Sequence, residues 1–210
     1  MVRHICLFLI LLSCVSGYAQ KPLKHVSQLK DGDLIFHIAS QPNAITDVTQ
    51  SDNDYPIDHV AIYFHHEGKP AVVQSTHRGT VITPLDSVLM KEERFVVGRI
   101  KGHFHRQNSI NNALQYLGRA YDHLFLPDND EIYCSELVQL SYVDRKGNLI
   151  FQTVPMSFHD ASGAVTPYWM QFYSQHDMEV PEGKPGTNPA ELSRRKQIKL
   201  IYTIAHQQLK

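Results

Sequence analysis

EIYCSELVQL, residues 131–140, starts a helix and puts a cysteine in its first turn. Leu137, Val138 and Ser141 follow Cys134 by three, four and seven positions, the spacing of one helical face. The pattern predicts a helix from about Tyr133 to Val143, with Cys134 on the buried side at the N-terminus. A thiol in such a place sits near the positive end of the helix dipole and near backbone N–H groups that lack intrahelical partners. Both favour a thiolate. The same N–H groups suit an oxyanion, so one location offers a nucleophile and part of the stabilisation of a tetrahedral intermediate. An inert thiol, packed as a small hydrophobe, fits the same spacing.

Working toward the N-terminus, the other two cysteines, Cys6 and Cys14, fall within the first nineteen residues. That segment reads as a secretory signal: Arg3 and His4, an apolar run from Ile5 to Leu12, then Gly17-Tyr18-Ala19 before the cut. Export to the periplasm or the medium is the expectation, which leaves Cys134 without an intrachain disulfide partner. Leu11-Leu12-Ser13-Cys14 also has the form of a lipobox, through which Cys14 would carry a lipid anchor to a membrane. No stretch approaches the ~20 apolar residues of a transmembrane helix. Losing Arg3 moves the net charge from −1 to about −2. With no basic run interleaved with aromatics, nucleic acid is not expected as a partner. The remaining residues, 20–210, suit a single domain.

Asp31-Gly32-Asp33 is a turn signal before a short strand, 34–37. A polar stretch, 39–57, reads as a long loop, and strand candidates follow at 59–65, 71–75, 80–83 and 95–100. Their close spacing implies an antiparallel meander. Ile110, Ala113, Leu114 and Leu117 predict a helix over 108–117, stopped by Gly118. Pro181, Gly183, Pro185, Gly186 and Pro189 imply an irregular tail wrapped over the surface, before a last strand near 198–203. The fold class is α+β, with a meander packed against helices.

A thiol nucleophile needs a base, and His59 is the best placed of thirteen histidines because it opens a strand fed by a long loop. His65, His66, His103, His105, His123, His159 and His176 lie in turn-like or charged surroundings, where a solvated ring is expected. A third group should orient the imidazole. Gln74 is polar within the apolar stretch 71–75, and a hairpin would bring its amide to His59. A solvent-facing Gln on a half-buried strand fits equally. No histidine spacing matches a zinc-binding motif, so neither a metal nor another cofactor is expected.

DGDLIF (31–36), DHVAIY (58–63), VVQS (72–75), VITPL (81–85), LGRAYD (117–122) and YCSELV (133–138) occur in an order that resembles the YiiX/YebB-like group. Its members are circularly permuted relatives of papain within the NlpC-type cell-wall hydrolase superfamily. The resemblance covers residues 30–145. It implies a permuted papain-like fold in which the histidine strand precedes the cysteine helix, with Cys134 as nucleophile, His59 as general base and Gln74 as the orienting residue. Many relatives carry Glu where this chain has Gln74, and a neutral amide orients imidazole without stabilising imidazolium as a carboxylate would. Tyr121 and Asp122 match the group's YD pair, and with Tyr133 and Glu136 they are candidates for substrate contact. Buried-hydroxyl packing for Tyr121 and helix capping for Glu136 remain open. Aromatics at Tyr168, Trp169, Phe172 and Tyr173 would either wall a cleft or pack the core.

The implied activity is cleavage of an amide bond in a small peptide or amino-acid-containing substrate, such as a cell-wall-derived peptide. A thioesterase or lipid acyltransferase on the same site is the first alternative. A weakly active amino-acid- or peptide-binding protein is the second, and a buried Cys134 without a nearby histidine would favour it.

Overall fold

The computed structural model of the protein describes residues 20–49, 55–90 and 94–205. The signal-like segment and Cys14 therefore lie outside the described residues.

Strands β1 (Lys21–Pro22), β2 (Leu34–Ile38), β3 (Ile57–His66), β4 (Lys69–Thr76), β5 (Gly79–Pro84), β6 (Arg94–Ile100) and β9 (Ile198–Ala205) make one sheet in the order β1-β9-β6-β2-β3-β4-β5. All its pairings are antiparallel except β1 with β9. The expected meander holds for β3-β4-β5, joined by the turns at 67–68 and 77–78, with Gly68 and Gly79 at positive φ, whereas β6 crosses the sheet to pair with β2 and β9.

Alternation along the strands sends side chains into two cores. Leu34, Phe36, Val60, Ile62, Val73 and Val96 face one side, where α3 (Arg106–Leu114), α4 (Cys134–Ser141) and α6 (Pro189–Arg194) contribute Ile110, Ala113, Leu137, Val138, Ala190 and Leu192. Ile35, Ala61, Tyr63, Val72, Phe95 and Val97 face the other, under Leu23, Leu29 and Leu85, the last from α2 (Leu85–Leu89). Burial on both faces explains why the central strands read as continuous apolar runs.

Three expectations are corrected. The stretch 39–57 holds a helix, α1 (Ala44–Thr49), started by Asn43, whose Oδ1 accepts from the backbone of Ile45 and Thr46 at 3.0 and 3.1 Å. The tail is not merely irregular. A short hairpin of β7 (Val154–Pro155) and β8 (Pro185–Gly186) leads into α6, capped by Asn188 Oδ1 accepting from Glu191 N at 2.7 Å, with Pro189 at the first helical position. Thr187, Ala190 and Leu192 are buried, so this segment belongs to the core and not to an outer wrap. The helix expected over 108–117 starts and stops earlier, at 106 and 114, capped by the His105 side chain.

A third cluster, Met156, Phe158, Trp169 and Tyr173, forms around α5 (Pro167–Ser174) and packs on Ala44, Ile45 and Phe125. Trp169 and Tyr173 are core, whereas Tyr168 is 53% exposed and Phe172 lies between. The two readings of these aromatics divide among the four residues.

Candidate active site

The ladder joining β3 to β4 runs from the turn only as far as Ile62 opposite Val73. Beyond that pair the strands part, and β4 stays with β5, Gln74 opposite Val81. The chain just before α4 lies against the opening, because the buried Ser75 hydroxyl donates to Ile132 O at 2.6 Å. The helix N-terminus and its cysteine thereby reach the part of β3 that carries His59.

His59 and Gln74 bridge the parted strands through their side chains, Nε2 to Oε1 at 2.8 Å. The Gln74 amide nitrogen in turn donates to Thr83 Oγ1 on β5 at 3.0 Å, which turns the amide oxygen toward the ring. With Nε2–H donating to Gln74, Nδ1 is left free to face a second group, and Cys134 is near enough to act on the His59 ring. Burial alone would lower the His59 pKa. The Cys134 hydrogen bond and charge, then the Gln74 bond and the Asp58 charge, outweigh it and hold the value above that of an ordinary histidine. Cys134 is 4% exposed, within the first turn of α4 as its spacing predicted.

Asp58 precedes His59 at a bulge, where His37 faces His59 and Ile38 faces Ile57. The extra residue turns the Asp58 carboxylate toward the site. It meets His37 Nδ1 at 2.5 Å and accepts from Asn43 Nδ2 at 2.7 Å. Burial would raise the Asp58 pKa, but the His37 bond and charge and the Asn43 bond bring it below the usual carboxylate value. His37, Asp58, Asn43 and Thr83 were not singled out from sequence. Adjacency to His59 was the available signal for Asp58, whereas His37 was hidden inside an apolar strand.

Tyr121 stands at the centre of the cleft. One hollow, of about 550 Å³, runs from it past His59, Gln74, His37 and Thr83. A second, of about 450 Å³, runs past Asp58, His123, Phe125 and Phe172. Burial and then the Cys134 charge push the Tyr121 pKa up, so its hydroxyl stays a proton donor at neutral pH.

The other candidate contacts divide. Tyr133 is buried beside Cys134 and accepts from Thr187 N at 3.0 Å, tying the tail to the nucleophile helix. Asp122 does not face the cleft. It is fully buried, and its carboxylate accepts from Leu124 N and Leu126 N, both at 2.8 Å, and from Asn129 Nδ2 at 3.1 Å. It shapes the loop that carries Tyr121 and Phe125, since two backbone donors and an amide already use the oxygens a substrate would need. Glu136 likewise serves the helix, accepting from Tyr133 N at 3.4 Å. Burial pushes its pKa up to about 7 against that bond.

The comparisons with known proteins agree with this architecture. A family profile described as "Permuted papain-like amidase enzyme, YaeF/YiiX, C92 family" matches residues 28–202. The uncharacterized protein YiiX of Escherichia coli K12 is 30% identical over 169 residues, covering 77% of each chain. The crystal structure of a protein described as metalloprotein yiiX, from Escherichia coli O157:H7, superposes with a TM-score of 0.68 at 24% identity, over 83% of this chain and 97% of that one. A histidine strand ahead of a cysteine helix, on a mainly antiparallel sheet, is the permuted papain-like arrangement, and the chain belongs to the YaeF/YiiX family of permuted papain-like amidases.

Proposed function

We propose that this protein is an exported cysteine amidase that cleaves an amide bond in small, cell-wall-derived peptides, with Cys134 as nucleophile, His59 as base and Gln74 as the residue orienting it. The observation that carries this reading is Cys134 in the first turn of a helix, acting on a His59 ring that Gln74 holds through a 2.8 Å hydrogen bond, beside a cleft. The binding-protein reading required a buried thiol without a neighbouring histidine, and Cys134 has His59.

In the first half-reaction the Cys134 thiolate attacks the carbonyl carbon, and the oxyanion receives hydrogen bonds from the first-turn backbone N–H of α4. The Tyr121 hydroxyl, held protonated, is a second donor facing the cleft. As the C–N bond breaks, His59 Nδ1–H gives its proton to the leaving nitrogen, which departs as an amine. Water then adds to the thioester while Nδ1 takes its proton. Collapse breaks the C–S bond, releases a carboxylate and restores the thiol–imidazole pair.

The relative of known crystal structure is described as a metalloprotein. Among the described residues here, no three His, Cys, Asp or Glu side chains group to hold a metal ion. The scheme routes no step through a metal ion.

The test is alkylation of Cys134 by iodoacetamide as a function of pH, in the wild-type protein and in His59→Ala. Fast labelling below pH 7 that collapses in the variant supports the pair. Labelling that rises only near the ordinary thiol value of about 8.5 and ignores the substitution overturns it. Peptide and acyl-ester panels then separate the amidase from the thioesterase reading.

A further inference from the structure

Three buried side-chain polar atoms among the described residues have no hydrogen-bond partner, and two of them, Ser135 Oγ and Thr187 Oγ1, line the same small cavity. That cavity, of about 50 Å³, also touches Cys134, and its other walls include Tyr133, Phe125, Met156 and Trp169. Ser135 is 0% and Thr187 2% exposed. An unpaired hydroxyl in such surroundings is costly, and two converging on one space beside a nucleophile mark a place where hydrogen bonds are made to something else.

Both hydroxyls are held in position by backbone. Ser135 follows the nucleophile in the first turn of α4. Thr187 is fixed by its N–H donating to Tyr133 Oη and by Asn188, which caps α6. The preceding Gly186 lies so close to Met156 and the Tyr133 hydroxyl that a Cβ there would collide with Met156. The tail thus presses Thr187 against the cysteine helix.

The chemistry of the occupant follows from what the cavity offers. Two hydroxyls, each able to donate and accept, suit a group that does both. Asp58 is the charged residue on the lining, and His37 and Asn43 already engage its two oxygens. An anion would meet that carboxylate with no Lys, Arg or His on the lining to balance it. An ammonium would find its counter-charge already engaged and the remaining walls apolar.

We propose that Ser135 and Thr187 form the polar floor of a subsite beside Cys134 that takes an uncharged hydrogen-bonding group of the substrate, of the size of a primary amide. This rests on the amidase reading for its meaning as substrate specificity, but the binding it asserts is independent of turnover.

The experiment uses the Cys134→Ala protein, which cannot hydrolyse the probe, and follows backbone amide resonances while propionamide, propionate or propylammonium is added. The result expected is saturable perturbation of residues 135 and 187 by propionamide at millimolar concentration, with either ion at least fivefold weaker. Thr187→Val and Ser135→Ala should each weaken propionamide at least fivefold, and Thr187→Ser should retain it. Both deletions remove an unpaired buried hydroxyl, so the melting temperature should hold or rise, which separates loss of the site from loss of the fold. Equal binding of either ion, unchanged affinity in both deletion variants, or no saturable binding of propionamide overturns the proposal. A reactive Cys134 alongside such a result would leave the amidase reading intact, whereas propionamide binding with an unreactive thiol would sink only the amidase.

Discussion

At the residue scale, the behaviour of His59 is set by opposing influences that particular side chains supply. Burial favours neutral imidazole, while the bonds to Cys134 and Gln74 and the nearby Asp58 charge favour imidazolium and prevail. A carboxylate in place of the Gln74 amide would add to the second group. Gln74→Glu should therefore move the alkaline limb of the kcat/KM profile to higher pH, because His59 keeps its proton longer. Gln74→Ala should move it lower and His59→Ala should cost roughly 10²–10⁴-fold in kcat/KM. A pH-rate profile of each variant on one amide substrate checks this. Unmoved limbs with Gln74→Glu would mean that the 2.8 Å contact does not govern the protonation of the ring.

At the element scale, the nucleophile helix carries an acid in its own first turn. Glu136 accepts from Tyr133 N, yet burial raises its pKa from 4.5 to about 7. A carboxyl whose folded value is raised stabilises the fold fully below its unfolded value and loses that contribution as pH climbs through the folded one. The window here runs from about 4.5 to about 7. Glu136→Gln keeps an acceptor for Tyr133 N and removes the titration. Its melting temperature should vary less than the wild type's across that window, and it should be the more stable protein at pH 8, by about 1–2 kcal/mol. Calorimetry at pH 5 and pH 8 decides it, and parallel curves for the two proteins would refute the assignment.

At the scale of the whole molecule, the site exists because the sheet is held shut at one end and parted at the other. Arg99 on β6 reaches Asp33 at the start of β2 through two bonds of 2.7 and 2.6 Å, and it also donates to Gln28 O. Asp33 is 1% exposed. Removing the guanidinium leaves a buried carboxylate with Lys30 N as its remaining neighbour. Arg99→Ala should cost about 3 kcal/mol in urea unfolding. A loss below about 1 kcal/mol would place the pair in the class of weak surface bridges.

The sequence by itself determined what depends on neighbours along the chain. Apolar runs bounded by turn signals announced β2 to β6, the i, i+3, i+4 spacing announced α4 and put Cys134 in its first turn, and the position of His59 at a strand entrance singled it out. Motif order implied the permuted fold. Local pattern also misled where capping chemistry was short and easily missed, as at Asn43 before α1 and Asn188 before α6. Tertiary structure alone decided the parting of β3 from β4, the His37–Asp58–Asn43 group, the burial of Asp122 beneath its own loop and the meeting of Ser135 with Thr187. Residues 135 and 187 are brought together by a tail whose Pro and Gly content suggested an outer wrap. Periodicity reports which face a residue presents. It carries no record of which distant segment covers that face, because that choice is made by burial and hydrogen bonding across the assembled core.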